Sequence, residues 1–488
     1  MSRDIYVANL YINGSIVEPS TGKYQDRYDP GDNSHLIGKV ADGSKDVGAA
    51  LDAARETFDR NKGSWVTDYR LRARALLRVA EIMRSRAEEL AWLESLFVGK
   101  TIRTSRLGDI PRAVDMFEYY AGIADKVMGH SQILRTGDVS MIVRQPIGVV
   151  AAITPWNFPL LILARQVAPA LAVGCTVVAK PASYTPTTAF ELAKIMGEAG
   201  VPPGVFNLVM GRGEEIGSQV LKSDKVDVVN FTGETNTGKW IQQMAAGSLK
   251  RVVLELGGKN PNIVFEDADL ETAANGVVYG AFANNGESCA AGSRLLVHRS
   301  VKDRFVKMVS ERVSRIRVGY QLREDSDLGP LVSQGQLEKV LEYVGAAESE
   351  GLRVLVGGRR LRDGEYARGN YVQPTLIDDT PISSKLFREE IFGPAMTLNP
   401  VATTEEGIRR AADSRYGLQG GLFTNDLRIA LRALENWDVG GLMINDVPIY
   451  RMDNMPFGGW RQSGLGREGT RFAMEEMTDV KFLVINYS

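Results

Sequence analysis

Cys289 lies in FANNGESCAAGS (282–293), where small neighbours leave its sulfur open to a reactant. The chain has one other cysteine, Cys175, and only three histidines: His35, His130 and His298. A lone cysteine is more commonly an inert core thiol, so its surroundings decide its meaning. Glu255, in VLELGGK (253–259), ends an apolar run just before a glycine pair. There it is either a functional base or a capping group. No histidine lies near either segment, so a carboxylate is the natural group to activate a thiol or a water. Asn157 stands in PWNFP (155–159), and the two flanking prolines restrict the backbone that holds its amide. A fixed side-chain N–H is what an oxyanion requires, although a turn asparagine bonded to backbone explains the same residues.

Two glycine-bearing segments have the composition of phosphate turns. GRGEEIG (211–217) misses the dinucleotide spacing G-x-G-x-x-G by one residue. FTGETNTGK (231–239) follows an apolar run and opens a helical one, so free N–H groups there suit a pyrophosphate. Glycine at a strand-to-helix turn also has a purely steric reading.

These residues need a scaffold. GVVAAI (148–153), TVVAK (176–180), VFNLVMG (205–211), VDVVNFTG (226–233) and RVVLELGG (251–258) read as buried strands. Helical segments separate them: one over 158–173, and one opening at Pro186 with Thr185 as N-cap and stopping near Gly200. The alternation predicts an α/β fold whose parallel sheet is covered on both faces and binds ligands at the carboxyl ends of its strands. Residues 70–90 read as one amphipathic helix with a basic, solvated outer face. We expect a Rossmann-like dinucleotide-binding domain from 1–125 and 147–257, and a second α/β domain, catalytic, over 258–457. Runs flanking Thr136-Gly137-Asp138 read as a β-hairpin. With a terminal strand they form an expected oligomerisation arm, 126–146 and 478–488.

The bulk numbers exclude several classes. A chain of 488 residues exceeds one hydrophobic core and predicts two or three domains. A net charge of −2 gives no support for nucleic acid or an anionic membrane as partner. No apolar run reaches membrane-spanning length, and the first residues do not read as a secretory signal, so a cytoplasmic location is expected. Two cysteines rule out a cysteine-cluster zinc site, and no metal is expected. No C-x-x-C is present, which argues against a disulfide oxidoreductase.

Taken in order, PWNFP, Lys180-Pro181, FTGETNTGK, ELGGKNP (255–261), NNGESC (284–289), EEIFGP (389–394) and MPFGGWRQSGLGRE (455–468) resemble the aldehyde dehydrogenase superfamily over nearly the whole chain. The resemblance implies that Cys289 attacks an aldehyde carbon and that Asn157 and the Cys289 backbone N–H hold the oxyanion. Glu255 then activates the water that hydrolyses the thioester, and Glu468 matches a second acid that some members use to pass protons outward. The implied cofactor is NAD or NADP. Lys180 would reach its adenosine ribose, and Trp156 would line its groove. Gly213, Gly217 and Gly233 would lie near adenine and pyrophosphate, and Glu390 and Phe392 at the nicotinamide end. Ile153, Thr154, Pro155, Ser183, Phe231 and Leu256 complete the expected groove. A homo-oligomer, dimer or homotetramer, is implied as well.

Four positions depart from the family pattern. Ser183 replaces a frequent glutamate that would repel a 2′-phosphate, so NADP should be accepted. Glu234 replaces serine near the pyrophosphate and should turn outward. Glu287 replaces glutamine two residues before the nucleophile. Gln166 replaces lysine, which puts a lysine-assisted proton relay in doubt. Arg165 resembles the lactaldehyde/glycolaldehyde and succinic semialdehyde branches, and with Arg451 it would bind a carboxylate or phosphate. Small hydroxy-aldehydes or anionic semialdehydes are therefore the expected substrates. The alternatives are a coenzyme A-acylating dehydrogenase, which typically lacks the carboxylate of Glu255, and a non-catalytic protein using the same fold.

Overall fold

The computed structural model describes residues 5–60 and 64–486. Strands Val149–Ile153, Thr176–Lys180 and Val228–Thr232 are buried at every position, as parallel strands covered on both faces must be. They form the middle of an eight-stranded sheet with Arg251–Glu255, Phe206–Leu208, Leu10–Ile12, Ser15–Val17 and Gly464–Leu465. The strands from 149 to 255 run parallel, and the outer ones are antiparallel.

Chain order reverses beside Val149–Ile153. Strands 176–180 and 206–208 are added on one side of it, and 228–232 and 251–255 on the other. In open α/β sheets the crevice at such a reversal takes the ligand. Here its walls are the segments that leave Ile153 and Thr232.

A second, seven-stranded sheet runs in the spatial order Val354–Val356, Thr375–Asp378, Ala395–Val401, Arg294–His298, Pro261–Val264, Gln419–Phe423 and Gly441–Ile444. Only its first strand is antiparallel. Each sheet has its own apolar core. The two-residue strand Gly464–Leu465 returns from the far side of the chain to the first sheet and places Gly464 opposite Glu255.

The hairpin forms as read, from His130–Ile133 and Val139–Pro146. Thr478–Ile485 pairs antiparallel with Val139–Pro146, closing a separate three-stranded sheet. Of the expected arm, residues 487–488 lie outside the described residues, as do 1–4 and 61–63 of the expected first domain.

The expected helix over 70–90 is two helices, Tyr69–Ser85 and Ala87–Val98, broken at Arg86. Arg86 pairs there with Glu89 and with the buried Glu191. Arg72 is not on a solvated face either: it is buried and donates to the carbonyls of Trp65, Val66 and Ala172. The helix expected from Pro186 spans Thr187–Glu198 with Pro186 in the cap position. Thr185 instead donates to the Trp156 carbonyl at 3.4 Å.

Candidate active site

The loop bearing Cys289 follows helix Leu270–Phe282 and is held by unusual backbone. Asn284 and Asn285 are both left-handed, with φ of 55° and 60°. Asparagine reaches that region more readily than other side-chain-bearing residues, and both amides are used. Asn285 donates to the Pro330 carbonyl at 3.0 Å and accepts from Gly329 N at 2.8 Å. Asn284 donates to the carbonyls of Glu287 and Asn157 at 3.0 and 3.3 Å. Behind the nucleophile, a Cβ on Gly258 would stand 2.5 Å from the Cys289 carbonyl oxygen, so only glycine fits.

Asn157 sits just before helix Pro159–Val173. One of its N–H groups is spent on the Glu287 carbonyl at 3.0 Å, which leaves the other for a reactant oxygen. Among the described residues no protein acceptor bonds the Cys289 backbone N–H. Glu255 ends its strand with only 4 % of its surface exposed, and its Oε1 has no partner. Burial pushes its carboxyl up to about 8; nearby Glu468 adds to this, and hydrogen bonding with the Cys289 thiol and the charge of Arg451 oppose it. Burial and the Glu255 carboxylate hold the Cys289 thiol well above its ordinary value. Each group thus holds its proton more tightly than it would in water.

Two cavities meet at this point. One, of about 520 Å³, is lined by Phe158, Leu161, Arg165, Phe282, Arg451 and Glu468 among others. The other, of about 280 Å³, is lined by Pro155, Trp156, Gly233, Glu390 and Phe392. Ile162, Thr232, Glu255 and Cys289 belong to both walls. Thiol and carboxyl are thus open to two different molecules arriving from opposite sides.

The larger cavity is rich in cation. Arg165 Nε is enclosed without an acceptor, and no ion pair is formed by Arg165 among the described residues. Burial first, then the charge of Arg451, lowers its guanidinium to about 9. Arg451 pairs with Glu468 at 3.3 Å and covers the Phe457 ring at 4.0 Å. Glu468 Oε1 accepts from the Thr232 hydroxyl at 3.4 Å, and Gln166 donates to the same hydroxyl at 3.0 Å.

The smaller cavity sits at the sheet's reversal. The Trp156 ring meets Phe392 edge-on at 5.2 Å between centroids. Phe392 holds a φ of 58°, rare for an aromatic residue, which fixes its ring in the groove. Glu390 Oε1 accepts from Gly258 N at 3.0 Å. Lys180 ends its strand 5 % exposed, and among the described residues nothing accepts from its Nζ. Burial lowers it to about 8. A buried cation at a strand's carboxyl end, without an anion, fits a ligand that brings its own oxygens.

Ile153, Thr154, Lys180, Ser183, Gly213, Gly217, Phe231 and Leu256 do not line this smaller cavity. Ser183 Oγ donates to the Gly211 carbonyl at 2.7 Å, and Gly213 lies beside Lys180 Nζ. Gly217 faces the Trp240 ring, the Phe231 ring packs under Gly233, and Leu256 packs on Gly238. Thr154 N donates to the Lys180 carbonyl at 3.1 Å, which ties the strand ending at Ile153 to its neighbour. Glu234 is exposed and bonds Asn236 on its own helix, turned outward as expected, yet it still borders the groove.

Several residues of the site escaped the sequence reading. Lys100, fully buried, pairs with Asp109 at 2.5 Å and stands 4.2 Å from the Phe158 ring centre. Asp109 closes a π-helical turn, Ser105–Asp109, on the cavity wall; such turns mark functional sites. A partial signal was available, since AEELAWLESLFV (87–98) is buried over most of its length and carries Lys100, two residues beyond it, into the core. Glu287, noted only as a departure, is buried; its Oε1 accepts from Val332 N at 3.2 Å and its Oε2 has no partner. Burial holds that carboxyl well above the usual carboxylate range.

Comparison with known proteins agrees with this geometry. Residues 16–483 match the model of the aldehyde dehydrogenase family. A betaine aldehyde dehydrogenase of Bacillus subtilis is 39% identical over 479 residues, covering 98% of this chain and 97% of the relative. The structure of an NAD-dependent aldehyde dehydrogenase from Sinorhizobium meliloti superposes with a TM-score of 0.95 at 36% identity, covering 98% of this chain and 94% of that one. An NAD+ complex of an aldehyde dehydrogenase from Bacillus cereus gives 0.95 at 37%, covering 99% and 97%. The chain belongs to the aldehyde dehydrogenase family. It is an NAD-dependent enzyme that oxidises aldehydes.

Proposed function

We propose that this enzyme oxidises a small aldehyde carrying an anionic or hydroxylated tail to its carboxylic acid, with NAD or NADP. One observation carries the substrate class: Arg165, a half-buried cation whose enclosed Nε has no acceptor and which forms no ion pair among the described residues, borders the cavity that ends at Cys289. A partly desolvated, unpaired guanidinium is costly unless a ligand supplies the anion. Lactaldehyde- or glycolaldehyde-like compounds and four-carbon semialdehydes fit this wall. Betaine aldehyde, named for the Bacillus subtilis relative, fits it poorly. A quaternary ammonium seeks aromatic faces, but Lys100 already stands at Phe158 and Arg451 at Phe457.

In this reading the Cys289 thiol gives its proton to the carboxylate form of Glu255 as its sulfur attacks the aldehyde carbon, Glu255 passes that proton on to Glu468, and the free N–H of Asn157 and the Cys289 backbone N–H receive the oxyanion. The cofactor, when bound, accepts the hydride. Trp156, Phe392, Glu390 and Lys180 hold and orient it, with Ser183 leaving room for a 2′-phosphate. Glu255 then takes a proton from water as the water oxygen attacks the thioester carbon, the C–S bond breaks, and Glu468 receives the proton. The presence of Glu255 favours hydrolysis over transfer to coenzyme A. The three-stranded sheet, with Ile133, Phe482 and Leu483 more than half exposed, is the arm we assign to contact with further copies of the chain.

A panel of four-carbon aldehydes with carboxylate, hydroxyl, methyl or trimethylammonium ends tests the class. The expected order of kcat/KM places carboxylate or hydroxyl first, and Arg165→Leu removes that preference. A trimethylammonium substrate leading the panel overturns it.

A further inference from the structure

Arg451 and Glu468 form an ion pair that is both nearly buried and long. Their side chains are 9 % and 5 % exposed and meet at 3.3 Å, against about 2.7–2.9 Å for a strong charge-assisted bond. The second tie on Glu468, the Thr232 hydroxyl at 3.4 Å, is equally slack. Thr232 stands opposite Glu255 in the neighbouring parallel strand. Thr232, Glu468 and Arg451 are therefore joined by hydrogen bonds beside the base, and Arg451 faces the same cavity as the unpaired Arg165. At 166 the chain has a glutamine bonded to Thr232, a side chain that cannot itself carry a proton.

We propose that Arg451 couples the substrate's tail to hydrolysis of the acyl-enzyme: in the empty cavity it holds Glu468, and an anionic tail seated on Arg165 draws Arg451 away and frees Glu468 to accept the proton from Glu255. This rests on the anionic-tail reading above. The physical basis is competition of two anions for one guanidinium. A carboxylate whose counter-cation is shared becomes the better proton acceptor. The proton leaves water for Glu255 as the C–O bond forms and the C–S bond breaks, then crosses the Thr232 hydroxyl to Glu468. Arg451 touches neither the reacting carbon nor sulfur in this scheme and acts as a positioning residue.

The test separates acylation from hydrolysis in the holoenzyme. With saturating cofactor, the NADH or NADPH burst gives acylation, and quench-flow decay of the thioester gives hydrolysis, for 4-oxobutanoate and for butanal. The expected wild-type enzyme hydrolyses the 4-oxobutanoate acyl group at least threefold faster relative to its own burst than the butanal acyl group. Arg451→Gln brings the two ratios together, and Arg451→Lys retains the difference. Thr232→Val slows hydrolysis of both acyl groups more than it slows their bursts. Equal ratios in the wild type, or a difference that persists in Arg451→Gln, overturn the coupling. Failure of the substrate reading looks different: 4-oxobutanoate then shows no lower KM than butanal, whatever the ratios are.

Discussion

The side-chain amide of Asn157 donates to the main-chain carbonyl of Glu287 at 3.0 Å, tying the loop that leaves one sheet to the loop that carries Cys289. That bond orients the amide so that its second N–H is available beside the sulfur. Asn157→Ala is expected to lower kcat by about 10²–10³, the cost of one oxyanion donor. Asn157→Asp should not restore it, because a carboxylate accepts rather than donates. Pre-steady-state bursts check this, since acylation must slow.

Glu255 is held up to about 8 by burial. The rate of thioester hydrolysis should therefore rise with pH through about 8 and level off above it, as the carboxylate fraction grows. Glu255→Gln is expected to abolish that rise and slow hydrolysis by about 10²–10⁴ while the first-turnover burst remains visible. A pH-independent hydrolysis rate in the unaltered enzyme contradicts the assignment of Glu255 as base.

Glu287 keeps its proton in the fold and loses it in the unfolded chain near the ordinary carboxylate value. The folded state binds more protons in that window, so this residue's contribution to stability is complete below the unfolded value and declines as pH rises toward the folded one. Glu287→Gln removes the decline and keeps an acceptor for Val332 N. The variant should melt at nearly the same temperature as the parent at pH 4.5 and higher by about 2 °C at pH 8, with the gap widening with pH.

Lys100→Met leaves Asp109 buried without its cation, a loss of about 3–5 kcal/mol, and takes the charge from Phe158 on the cavity wall. The double variant Lys100→Met with Asp109→Leu should recover most of the stability in urea titrations. It should still show an altered KM, because Phe158 is no longer fixed.

Ser183 donates to the Gly211 carbonyl near Lys180 and presents no negative charge. NADP should be used with an efficiency within a hundredfold of NAD. Ser183→Glu should lower kcat/KM for NADP about tenfold or more, a change of about 1.4 kcal/mol, and leave NAD comparatively unaffected. Initial rates with each cofactor decide this.

Much of the sheet was written in local pattern. Apolar runs at 149–153, 176–180 and 228–232 bury every residue and leave no other place to lie than the middle of a parallel sheet. The thiol of Cys289, the carboxylate of Glu255 and the amide of Asn157 stood out because small residues, glycines and prolines surround them. Those neighbours act on backbone geometry within a few residues, so their effect is legible in sequence. What the sequence left open depends on contacts between distant segments. The pairing of Gly464 with Glu255 is set by a two-residue strand with no pattern of its own. The Lys100–Asp109 pair, the grip of Arg451 on Glu468 and the isolation of Arg165 all arise where separate elements close around a cavity. Charge type is fixed by the residue; whether that charge is paired, spare or neutralised is fixed by what the folded chain brings within a few ångströms of it.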